Sequence, residues 1–239
     1  MMPREVPRRG NAGGRINRDL NLRDVFNNVS IFKDPDVVNQ IVRGQMGEPS
    51  AEWDPAFNED LVNSLFGEEL DLGALNINRG RDHGLPGYNS YREICQSGAY
   101  KRANTFQDLS GGGALEQEQI FTLRDLYDDV DDIDLFVGGT LEESHRDALL
   151  GPAFTCIIGD QFLRLKEGDR FYYEHGHDPS TRFSLDQLVE IRKVSMARII
   201  CDNTDIKETQ PNVFMIEKGG NRVTNCDNIP KMDLRVFTD

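Results

Sequence analysis

The sequence predicts a mainly α fold with little or no β-sheet. Apolar residues recur at helical spacing in one segment after another, and cap-type residues stand at the ends of those segments. No internal repeat and no long alternating strand pattern interrupts them. The chain has 239 residues, 38% apolar and 28% charged, which is enough for a proper core in one large domain or two small ones. No window approaches the roughly eighteen consecutive apolar residues of a membrane span. The net charge of −14 argues against non-specific nucleic-acid binding. The basic run "REVPRRGNAGGR" is too short and too Gly-rich to reverse that.

Residues 1–20 read as a ragged, basic, Gly-rich lead-in, and 21–239 as the folded part. "LRDVFNN" and "DPDVVNQIVRGQM" carry helical spacing, with Asp34 or Asp36 placed to cap the second. In "DPAFNEDLVNSLF", Phe57, Leu61, Val62, Leu65 and Phe66 fall on one helical face. "YNSYREICQSG" predicts a helix starting near Asn89 or Ser90. "GGGALEQEQIFTLRDLYDDVDDIDLFVGG" reads as a flexible glycine run, a helix, and an acidic stretch closing on Gly138-Gly139.

The strongest helix signal is "GPAFTCIIGDQFLRLKEG". Pro152 suits the first helical position and Gly168 the stop, while Phe154, Ile157, Ile158, Phe162 and Leu165 form one apolar stripe. A polar, aromatic-rich connection, "DRFYYEHGHDPSTRF", leads to "FSLDQLVEIRKVSMARIICDNT". There Ser184 and Gln187 are spaced as a capping box, with Leu185, Leu188, Val189 and Ile191 as the buried side.

Residues that could carry chemistry are few. Cys95, Cys156, Cys201 and Cys226 form no C-x-x-C pair and no zinc spacing. They fit two disulfides in an exported protein or four reduced thiols in a cytosolic one. The sequon Asn28-Val29-Ser30, a possible glycosylation site at Asn28, points towards export. "MMPREVPRRGNAGG" has no apolar signal core, so any export signal is expected upstream.

His83 in "RDHG" has the chemistry of a metal ligand or general base. Without a second catalytic group beside it, a turn residue held by Asp82 or Arg81 is the better reading. His175 and His177, flanked by Glu174 and Asp178, read as a surface loop rather than a metal site. "DDVDDID" lacks the glycine and terminal glutamate offsets of a calcium loop and reads as solvated, helix-terminal carboxylates. No phosphate loop, G-x-S-x-G elbow or H-E-x-x-H motif is present. Spacing and composition alone identify no reaction.

One stretch does more. "LNINRGRDHGLPGYNSYREIC", residues 75–95, resembles the most characteristic segment of the animal haem peroxidases, the myeloperoxidase–peroxidasin–peroxinectin group. The likeness continues in order through "DDIDLFVGG", "GPAFTCIIGDQFLRLKEGDRFYYE", "ARIICDNT" and "NCDNIPKMDL". The resemblance implies the C-terminal portion of that all-helical fold and a b-type haem iron cofactor. It implies reduction of hydrogen peroxide with oxidation of a small halide, phenolic or tyrosyl donor, in oxidative-stress, defence or matrix cross-linking roles.

By resemblance, Asn76 matches the asparagine that accepts a hydrogen bond from the second ring nitrogen of the proximal histidine. Arg79 matches the arginine that pairs with a haem propionate. On a helix their i, i+3 spacing places both on one face. Arg81, Asp82 and His83 become the scaffold of the turn, and Gly84, Pro86 and Gly87 shape its exit.

The family pairing implies disulfides Cys95–Cys156 and Cys201–Cys226, and with them an extracellular location. None of His83, His145, His175 and His177 stands in the family's ligand context. The proximal histidine, the distal histidine with its glutamine and arginine, the calcium loop and the haem-esterifying carboxylates are expected upstream. The chain is therefore expected to be a C-terminal fragment, inactive alone, completed by the N-terminal part of the domain. The alternative is a non-catalytic, peroxidase-like adhesion or interaction module.

Overall fold

The chain carries twenty-two glycines and ten prolines, and most of its helices are short. The computed structural model describes residues 5–6, 20–51, 53–144 and 148–238, and over them the chain is mostly helical. His145 and nearly all of the 1–20 lead-in lie outside the described residues. In chain order the helices are α1 (Leu22–Val25), α2 (Val37–Gly47), α3 (Glu59–Asn63), α4 (Leu72–Asp82) and α5 (Tyr88–Ile94). They continue with α6 (Gln117–Leu126), α7 (Leu135–Leu141), α8 (Pro152–Gly168), α9 (Leu185–Ile191) and α10 (Met196–Asn203). Short 3-10 turns fall between several of them. Among the described residues, strand is confined to two-residue antiparallel pairs, β1 (Glu5–Val6) with β2 (Leu20–Asn21) and β3 (Glu208–Thr209) with β4 (Thr224–Asn225).

Helices α3–α8 belong to a unit spanning Ala51–Gly168. Its core is built from Tyr88, Leu109, Ile120, Leu123, Ile133 and Ala153, all buried. Helix α5 packs on α7, and α7 packs in turn on α4 and α8. A buried polar knot sits inside this core. Glu142 Oε1 accepts hydrogen bonds from the hydroxyls of Tyr88 and Tyr100, each at 2.6 Å, and Oε2 accepts from the backbone N–H of Ala153 at 2.7 Å. Arg92 donates to the Tyr88 oxygen at 3.0 Å. The disulfide Cys95–Cys156, with a Cα–Cα distance of 5.9 Å, ties the end of α5 to α8. Closing that 61-residue separation constrains the unfolded chain by about 4 kcal/mol on loop-entropy grounds.

The second unit comprises Pro3–Ser50 and Asp169–Asp239. Arg198 is its buried cation: the guanidinium binds Asp202 twice, at 3.0 and 2.8 Å, and donates to the carbonyls of Cys226 and Ile229. The disulfide Cys201–Cys226 joins α10 to the turn after β4. Asn39 of α2 bonds Asp205, and Gln210 donates to the Met46 carbonyl at 2.8 Å.

The structure corrects several sequence expectations. "LRDVFNN" is helical only to Val25, and Asn27 adopts a positive φ of 55°. Asp36 stands at the N-cap of α2, yet its carboxylate serves the side chains of Asn39 and Gln40 rather than the backbone. The helix in "DPAFNEDLVNSLF" closes at Asn63, Phe66 turns to φ 59°, and the expected single face dissolves. The glycine run is folded into a 3-10 segment, Phe106–Gly113, with Gly111 close against the Ala99 carbonyl. Gly138 and Gly139 do not terminate anything; they sit inside α7.

The bounds and capping of α8 and α9 follow the sequence. Pro152 opens α8 and Gly168 ends it, and Ser184 and Gln187 form both bonds of a capping box. The α8 stripe is nonetheless exposed from Ile158 onward, with Phe162 at 66%. The next segment breaks after Ile191, because Ser195 caps a new helix by accepting from Arg198 N. Leu185 and Val189 are exposed and Glu190 is buried instead. The reason is tertiary: Glu190 accepts the Asp233 N–H at 2.8 Å, and Gln187 donates to the Val236 carbonyl at 3.1 Å.

Candidate functional site

Helix α4 starts on Asp71, whose carboxylate accepts the Ala74 N–H at 3.1 Å. It ends on His83. The His83 backbone N–H donates to the Arg79 carbonyl at 3.0 Å, and ring Nδ1 lies 2.9 Å from the same oxygen. The Asp82 carboxylate stays 3.9 Å from the ring. Gly84 then takes φ 63°, which a side-chain-bearing residue adopts only with strain, and Leu85 N closes onto the Gly80 carbonyl. His83 is thus the cap residue of the turn: its backbone N–H reaches the Arg79 and Arg81 carbonyls, and its ring the Arg79 carbonyl.

Asn76 and Arg79, one turn apart on α4, line a cleft of about 900 Å³. Ile77, Leu85, Phe136 and Phe154 supply apolar walls. Asn76 is half-buried and Arg79 exposed. Neither side chain has a hydrogen-bond or ion-pair partner among the described residues. Arg81 differs. Its guanidinium grips Asp134 bidentately, at 2.9 and 2.7 Å, and Tyr127 donates to the same carboxylate at 2.9 Å. Asp134 stands at the N-cap of α7, so this pair pins α4 to the helix that supplies Phe136. Nothing local in the sequence signals a pairing across 53 residues.

The Arg81 guanidinium holds the Asp134 carboxyl below its ordinary 3.8. A carboxyl depressed in the folded state contributes stability above its unfolded pKa and loses it as pH falls through the folded value. Asp134→Asn is therefore expected to flatten the acid limb of the stability profile. Because Arg81 is 62% exposed, the loss near neutral pH is expected to be about 0.5–1 kcal/mol after solvent screening. Urea midpoints across the acid range measure it; an unchanged acid limb would remove Asp134 from the account.

The acidic run is largely solvated, with Asp128, Asp129, Asp131 and Asp132 exposed and Asp129 and Asp134 at helix N-caps. Asp131 accepts from Asn89 and from Arg102, each at 2.6 Å, and Asp129 accepts the Asp131 N–H. His175 and His177 sit with ring centroids 5.7 Å apart beside Tyr172. Among the described residues no three His, Cys, Asp or Glu side chains are grouped to hold a metal ion.

The helical fold is similar to that of a known peroxidase. Peroxidase A from Dictyostelium discoideum superposes with a TM-score of 0.70 at 30% identity, over 89% of this chain and 39% of that one. The family model for animal haem peroxidases matches residues 1–214, and the chain belongs to that family. A peroxidase of Drosophila melanogaster is 38% identical over 92% of this chain, and the thyroid peroxidase of Rattus norvegicus is 37% identical over 92%. The chain spans only 32% and 24% of the length of those two relatives.

Proposed function

We propose that this chain supplies one wall of the haem site of an extracellular peroxidase, with Asn76 and Arg79 directed at the cofactor. The observation carrying this reading is the pairing of two unpartnered polar side chains, one helical turn apart, on a single apolar-walled cleft. A guanidinium without a counter-ion beside apolar walls fits a flat, carboxylate-bearing cofactor. When bound, haem supplies the redox chemistry that reduces hydrogen peroxide and oxidises a small halide, phenolic or tyrosyl donor.

The chain's own residues bind and orient. Arg79 would hold a propionate through its planar fork. Asn76 would offer its Oδ1 to the ring N–H of a histidine that holds the iron, which would orient that ring and raise its donor strength. The iron ligand, the peroxide-cleaving groups and the calcium loop are assigned to the rest of the domain, of which residues 21–239 form one stretch; the short coverage of the relatives supports this. The chain alone is accordingly expected to be inactive. Two disulfides support an extracellular location, and no helix among the described residues is long and apolar enough to cross a membrane.

In the complete protein, Arg79→Ala is expected to weaken haem binding by roughly tenfold or more, the size of a lost charge-assisted hydrogen bond. Asn76→Ala is expected to shift the haem absorption spectrum and lower turnover while leaving the helical circular dichroism unchanged. Normal haem affinity and spectra in both variants would sink the assignment. A complete protein that takes up no haem at all would instead favour a non-catalytic adhesion or interaction module.

A further inference from the structure

The sequon Asn28-Val29-Ser30 plays no part in the cleft chemistry, and the structure gives it a defined shape. Helix α1 ends at Val25, Asn27 turns to φ 55°, and Asn28 N closes onto the Val25 carbonyl at 3.2 Å. Asn28 and Ser30 are both exposed, and Val29 between them is 77% exposed. The Asn28 Oδ1 accepts from the Ser30 backbone N–H at 3.1 Å and from the Ser30 hydroxyl. Its Nδ2 donates one hydrogen to the Asp24 carbonyl at 3.0 Å, and the second hydrogen has no partner among the described residues.

We propose that Asn28 carries an N-linked oligosaccharide. The acceptor requires an asparagine amide, a hydroxyl two residues on and no intervening proline, and all three are present. Two hydrogen bonds to Oδ1 orient the carboxamide and present its nitrogen outward. The hydrogen bonds that shape this turn run among residues 24–30, so the turn can form before any tertiary contact. The donor is a lipid-linked oligosaccharide pyrophosphate. A C–N bond forms between the first sugar's C1 and Nδ2, the C1–O bond to the pyrophosphate breaks, Nδ2 gives up one proton, and the lipid pyrophosphate leaves. Nδ2 keeps its other hydrogen, so the bond to Asp24 survives the attachment. The sugar is hydrophilic and would shield the exposed Val29 and Phe32, which is 59% exposed.

The site rests on the extracellular reading above, and its failure is separable from failure of the haem assignment. The complete protein is expressed in secreting animal cells and digested with peptide-N-glycosidase in heavy-oxygen water. A tryptic peptide containing residue 28 is expected to show aspartate with one heavy oxygen, and the protein a gel shift for this site. Asn28→Gln and Ser30→Ala are expected to abolish both signals, and Ser30→Thr to retain them. Asn28→Asp keeps the acceptor oxygen of the turn, so it is expected to lose the glycan without changing the haem spectrum or the circular dichroism. Secreted protein with both disulfides formed and residue 28 unlabelled would overturn the proposal while leaving the haem assignment standing. Retention of an unmodified chain in the cytosol would overturn it as well.

Discussion

Replacing Glu142 with alanine is expected to cost about 3–5 kcal/mol of stability, seen as a lower urea midpoint at unchanged slope. The carboxylate accepts two tyrosine hydroxyls and a helix N-terminal N–H, and all four participating residues are buried. Removing it leaves three donors without an acceptor and strips Arg92 of its buried counter-charge. Arg92 has no slack to reorganise. It is fully buried, lies 4.3 Å over the Tyr100 ring, binds the Lys101 carbonyl through Nε at 2.9 Å, and already has one guanidinium nitrogen without a hydrogen bond. Glu142→Gln keeps an acceptor oxygen of similar shape and is expected to cost about 1–2 kcal/mol. A loss below about 1 kcal/mol for the alanine variant would show that water replaces the carboxylate.

The same group sets a pH dependence opposite to that of Asp134. Burial pushes the Glu142 carboxyl above its ordinary 4.5, against the pull of its three donors. The folded protein then takes up this proton at higher pH than the unfolded chain does. Its contribution favours folding below the unfolded pKa and diminishes as pH rises through the folded value. Asp134 contributes in the other direction, so the two variants are expected to change the stability profile with opposite slopes.

Local signals are legible in the sequence, and tertiary ones are not. Helix α8 runs from Pro152 to Gly168 because a missing N–H and a flexible stop are properties of those residues alone. The Ser184–Gln187 capping box is equally local. Leu185 and Val189 pointed to the wrong buried face because Glu190 and Gln187 are claimed by Asp233 and Val236, more than forty residues away. At the cleft, helical spacing alone places Asn76 and Arg79 side by side. Their proposed partners come from resemblance, and the Arg81–Asp134 clamp beside them had no sequence signal. Phe136 carries no local signal, because the glycines after it read as a stop rather than as a packing surface.

Those glycines carry the second large effect. Gly138→Ala is expected to destabilise the chain by roughly 3 kcal/mol, against a helix-propensity gain of about 1 kcal/mol for the same exchange. A Cβ at Gly138 would stand 2.2 Å from the Tyr88 ring, and one at Gly139 would stand 2.5 Å from the Phe154 ring. Tyr88 cannot retreat: its hydroxyl is tied to Glu142 and Arg92, and its backbone N–H to the Ile133 carbonyl at 2.7 Å. The new methyl must push α7 off α5, and α7 carries Asp134 and Phe136 of the cleft wall. Gly159 is the matched control. It lies within α8, where an added Cβ would meet no neighbouring atom beyond the helix's own backbone within 4 Å, so Gly159→Ala should raise stability by about 0.5–1 kcal/mol. Thermal and urea melts of the two variants should move in opposite directions. A stabilising Gly138→Ala would mean that helix propensity, rather than the Tyr88 contact, decides the glycine at that position.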